Sequence, residues 1–136
     1  MEFKVLISYF FTVPFVVVLD LLWTSYLLGG AGTLLRFGFF LPTTIDWGAV
    51  AAFYIVFTLG LFYFGVYHGF SRQSLSISVV GGVAFGFFVY ATYDLALMAI
   101  IPDTSVLVAL FDVAWGMALS GAAAAVGFSV NRLIIG

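Results

Sequence analysis

The chain has 136 residues, of which 65% are hydrophobic and 7% charged, with a net charge of -2 and a mean hydropathy of +1.27. Soluble domains carry about 25% charged residues and about half apolar ones, so a water-soluble fold of this size has no interior large enough for so much apolar surface. The bilayer is the expected solvent. The absence of cysteine excludes disulfides, thiolate metal sites and a cysteine nucleophile, and four Lys and Arg residues make no basic patch for nucleic acid.

Four apolar stretches have the ~20 residues that a transmembrane helix needs. They lie near 5–28, 49–68, 75–101 and 105–132, and predict an all-α, four-helix integral membrane bundle as a single domain over 1–136. The first, Val5 to Leu28, exceeds the roughly 7–15 apolar residues of a signal-peptide core, and is read as a retained helix. It contains Pro14, which withdraws a donor from the carbonyl of Phe10 and is tolerated in membrane helices. Gly29-Gly30-Ala31-Gly32 ends it. The segment from Gly29 to Trp47 holds Leu34-Leu35-Arg36-Phe37-Gly38-Phe39-Phe40-Leu41, too apolar for a free loop, and is expected to be interfacial or re-entrant.

His68-Gly69-Phe70-Ser71-Arg72 separates the second helix from the third, and Ile101-Pro102-Asp103-Thr104 the third from the fourth. With four spans, Lys4, Arg72 and Arg132 share one side and Arg36 takes the other. The positive-inside rule then places both termini in the cytoplasm. Gly82-x-x-x-Gly86 in the third helix and Gly116-x-x-x-Ser120 in the fourth, extended by Ala122 to Ala125 and Gly127, are small-residue faces that let helix backbones approach.

Asp20, Asp94 and Asp112 fall inside the predicted spans, where an ionisable group is costly and marks a candidate site. Asp20 is eight residues before Leu28, Asp94 seven before Ile101 and Asp112 seven after Ser105. At a rise of about 1.5 Å per residue, each lies roughly 10–12 Å below the same end of the bundle. Three carboxyls therefore share a layer. Trp23 follows Asp20, and Trp115 follows Asp112, by one turn. Tyr90 precedes Asp94 by one turn, with Thr92 and Tyr93 beside it. Indole N–H and phenol groups are donors suited to a carboxylate away from water. Arg36 is the one cation expected on that side, too few for three carboxylates, so a proton or bound cation is expected in the layer. Asp46 and Asp103 read as loop or cap residues. His68 is a lone histidine at a helix end.

No cofactor is expected: haem would want an axial histidine inside the bundle and a retinal Schiff base a mid-helix lysine. No phosphate loop or serine elbow occurs. Expected partners are membrane lipids and a second copy or a larger membrane complex.

Tyr90-Ala91-Thr92-Tyr93-Asp94-Leu95, followed by Asp112-x-x-Trp115-Gly116, is similar to the signature of a family of predicted bacterial membrane proteins filed as a domain of unknown function, number two-one-seven-seven. The resemblance extends to Asp20-x-x-Trp23, Trp47-Gly48-Ala49 with Phe53-Tyr54, and the alanine-rich last helix, in the same order. It implies a four-helix inner-membrane protein and supplies no reaction. The family typically continues Tyr-Asp-Leu with Thr-Asn, where this chain has Ala96 and Leu97, which implies a drier or altered site.

Three functions remain open: a module that binds or translocates a small cation, a proton or a small molecule; an accessory or structural subunit of a membrane complex; and a membrane enzyme acting on a lipid. The layer's lack of His and Cys counts against the third.

Overall fold

A computed structural model describes residues 3–26 and 46–135. Four helices make up this part of the chain: α1 (Phe3–Tyr26), α2 (Trp47–Ser71), α3 (Leu75–Ile100) and α4 (Val106–Ile135). The last three are long and apolar enough to cross a membrane, and α1 contributes a shorter apolar run, Ile7–Trp23. No strand occurs among the described residues. Most of the segment from Gly29 to Trp47, including Arg36, lies outside the described residues.

The helix starts follow cap chemistry. Asp46 precedes α2 in an extended conformation, and its carboxylate accepts from the Ala49 N–H at 3.0 Å. Ser74 does the same for α3, accepting from Ile77 N–H at 3.3 Å. Each satisfies a donor that the first turn leaves without an intrahelical partner. Asp46→Ala is expected to cost about 1 kcal/mol. Faster hydrogen exchange of the Gly48–Val50 amides, with the rest of α2 unchanged, is the signature of that loss.

The bundle buries a polar and small-residue stripe alongside an apolar core of Val16, Phe57, Leu61, Phe62, Val66 and Leu119, and leaves many other large apolar side chains outside. On α1, every fourth residue from Ser8 through Thr12 and Val16 to Asp20 is buried. The buried stripe of α3 has the same spacing: Ser78, Gly82, Gly86, Tyr90, Asp94. On α4 the inner face is Gly116, Leu119, Ser120, Ala123, Ala124, Gly127 and Asn131, while Ala122 points outward. Phe10, Leu22, Val56, Phe88, Leu95, Leu110 and many other large apolar side chains are exposed. In water this surface would aggregate; against lipid tails it is ordinary solvent contact.

The α3–α4 pair is the most closely packed. A Cβ built on Gly82 would lie 2.5 Å from the Ser120 carbonyl oxygen, and one on Gly86 would strike the Gly116 carbonyl. Only hydrogen fits between these backbones. Ser78 crosses the same seam to donate to the Ala124 carbonyl at 3.2 Å.

In α2 the stretch Phe62–Tyr67 is π-helical. Its wider turn keeps Phe62, Gly65, Val66 and Gly69 on the buried side that begins with Phe57, Thr58 and Leu61. Gly65 then sits against Gly82 and Ala124, and Gly69 against Ser78. At the same end of the bundle the Asn131 amide donates to Ser8 Oγ at 3.2 Å, joining α4 to α1.

Candidate functional site

At the other end of the bundle the sequence-predicted layer forms, and it divides into two connected centres. In the first, the Asp20 carboxylate, 7% exposed, accepts from two phenols: Tyr54 at 2.8 Å on Oδ2 and Tyr90 at 2.9 Å on Oδ1. One carboxylate thus ties α1 to both α2 and α3. Tyr90 reaches it because Gly116 leaves room for the phenol ring, which a Cβ at that position would strike. Tyr54 is backed by Thr58, whose hydroxyl donates to the Tyr54 carbonyl at 2.6 Å. With that hydrogen committed, the 2.9 Å contact between Tyr9 and Thr58 has Tyr9 as donor.

The second centre joins α1, α3 and α4. Trp23 Nε1 donates to Asp112 Oδ1 at 3.0 Å, and the Trp23 and Trp115 rings stack with centroids 5.0 Å apart and planes 12° from parallel. The Asp94 carboxyl meets the Asp112 carboxyl side chain to side chain. Asp94 is 4% exposed, and its Oδ2 has no hydrogen-bond partner. The indole N–H of Trp115 is likewise buried and without an acceptor. The described cations Arg72 and Arg132 belong to the opposite end, roughly 30 Å away by the count of residues along α3 and α4.

The sequence-derived candidates therefore fare differently. Asp20 and Tyr90 meet, as do Trp23, Asp94 and Asp112, with Trp115 stacked beside them. Trp23 serves the aspartate of α4, although it shares a helix face with Asp20. Tyr93 and Thr92 face outward, with Tyr93 61% exposed. Arg36 lies outside the described residues. Among the described residues, no group of three or more His, Asp or Glu is arranged to hold a metal ion. Tyr54 enters from the sequence only through the family resemblance and not among the site residues. Its signal was available, because Tyr54 lies seven residues into α2, at the same roughly 10 Å depth as the aspartates.

Helices of this length, with large apolar side chains exposed and ionisable ones buried between them, define a multi-pass integral membrane protein. The chain belongs to a family described as "Predicted membrane protein (DUF2177)", whose model matches residues 5–129. No curated protein and no solved structure matches it.

Proposed function

We propose that the Asp94–Asp112 pair is a binding site where a shared proton exchanges with a small cation, and that the chain is a translocation module of the inner membrane, with both termini cytoplasmic. The observation that carries this is the Asp94 carboxyl, buried against a second carboxyl with one oxygen unpartnered. Two ionised carboxylates in a low-dielectric interior repel strongly, and a proton held between them removes that cost. Replacing the proton by a monovalent cation leaves the pair's net charge unchanged, so exchange avoids exposing two negative charges to the bilayer. The stacked indoles of Trp23 and Trp115 add a cation-attracting surface beside the pair. Four helices are thin for a pathway of their own, and the functional unit is a homodimer or a larger membrane complex.

The Asp20 centre favours an accessory, structural role for its own half of the layer. Each carboxylate oxygen there has a phenol donor, and the three residues pin three helices.

The test is proton release from the protein in lipid nanodiscs, followed with a pH-indicator dye as Na⁺, K⁺ or methylammonium is added. The wild type is expected to release protons saturably with at least one of them, and Asp94→Asn to release none. Equal responses from the two proteins, or none from the wild type, would remove the exchange reading.

A further inference from the structure

A groove of about 360 Å³ opens on the outer side of the α2–α3 hairpin, at the end remote from the aspartates. It is lined by His68, Ser76, Ile77, Val80, Gly81 and Ala84. Its apolar part runs along α3 from Ile77 to Ala84, about 10 Å into the span. Small residues make the trough: Ala84 is exposed, and Gly81 lies directly under the Phe64 carbonyl of the π-helical turn. Its polar mouth is His68 and Ser76, both exposed, where α2 ends and α3 begins.

Along the hairpin that forms the mouth the charge has one sign. From Trp47 to Tyr93 the chain contains no Asp, Glu or Lys, and its one Arg, Arg72, is exposed in the turn one helical turn beyond His68. An apolar trough in the acyl region, ending at donors and a cation at the depth of the headgroups, matches one molecule in both halves. The geometry points to an anionic phospholipid, with one acyl chain in the trough and its phosphate at His68, Ser76 and Arg72. A second copy of the chain fits less well, because a two-fold contact on this face would set Arg72 against Arg72. The site is independent of the aspartate layer.

Native mass spectrometry of protein extracted from vesicles of equal phosphatidylglycerol and phosphatidylcholine tests it. The wild type retains phosphatidylglycerol in preference. Arg72→Gln lowers that retention about fivefold, the effect of one juxtamembrane charge. Ala84→Trp fills the trough and lowers retention of both lipids while Arg72 stays in place, and thermal unfolding of each variant confirms that it is folded. Asp94→Asn keeps the preference, which separates this site from the exchange reading. Equal retention of the two lipids, or retention unaffected by Ala84→Trp, overturns the assignment. So does a wild-type dimer, stable in lipid-free detergent, that Ala84→Trp dissociates.

Discussion

Gly86→Val leaves no folded monomer to purify, whereas Ala96→Leu, on the exposed side of the same helix, leaves yield and melting temperature unchanged. The difference is what each new atom meets. A Cβ at position 86 strikes the Gly116 carbonyl and comes within 2.6 Å of Ser120 Oγ. The first obstacle is backbone, so no rotamer change relieves it and α3 must move off α4. Overpacking costs about 1–3 kcal/mol where side chains can yield, and more where they cannot. Against a total stability of about 5–15 kcal/mol, valine, with two further methyl groups, takes most of the margin. Gly86→Ala is the intermediate case, expected to lose about 2–3 kcal/mol in denaturant titration. The seam at Gly82 and Gly86 also sets how closely Asp94 approaches Asp112, so Gly86→Ala should weaken cation-linked proton release before it unfolds the chain. A Gly86→Val protein with wild-type stability would show that the helices cross elsewhere.

Removing both phenols from Asp20 is the second large effect. Tyr90→Phe alone takes one donor from a carboxylate that is 7% exposed, and Tyr54→Phe takes the other. Neutral hydrogen bonds between membrane helices average only about 0.6 kcal/mol. Bonds to a charged group are stronger, about 1.5–3 kcal/mol each, and the burial of Asp20 places these in the upper class. The double variant is expected to lose more than the sum of the single ones, because the second removal strands a buried charge. Asp20→Asn in the double-variant background should restore part of the loss, since it removes that charge. A double-mutant cycle that is additive, with each step below 0.5 kcal/mol, would place Asp20 in contact with water instead.

Most of the fold was legible because the sequence pattern and the solvent agree. Long apolar runs broken by Gly, Pro and charged turns set four helices, and the small-residue spacing at Gly82, Gly86, Gly116 and Ser120 marked the α3–α4 seam. The shared depth of Asp20, Asp94 and Asp112 was also readable, since rise per residue is fixed. Azimuth was not. Whether Trp23 turns to Asp20 on its own helix or to Asp112 on another depends on how α1 is rotated against α4. The aspartates' division into a tyrosine-clamped carboxylate and a carboxyl pair depends on the same packing. The π-helical turn at Phe62–Tyr67 left no composition signal, because it follows from keeping Gly65, Val66 and Gly69 inside. Tyr54 has no formal charge to mark it as a site residue, and α2 carries no acid below its cap.

The proposed exchange requires one proton held between Asp94 and Asp112, and infrared spectroscopy of the carboxyl region in lipid reads it directly. The wild type is expected to show a protonated-carboxyl band that shifts when cation is added. That band should be lost or displaced in both Asp94→Asn and Asp112→Asn, and should persist in Asp20→Asn. A spectrum with no protonated carboxyl, or one whose band disappears only in Asp20→Asn, would contradict the shared proton and leave the aspartates as ties between helices.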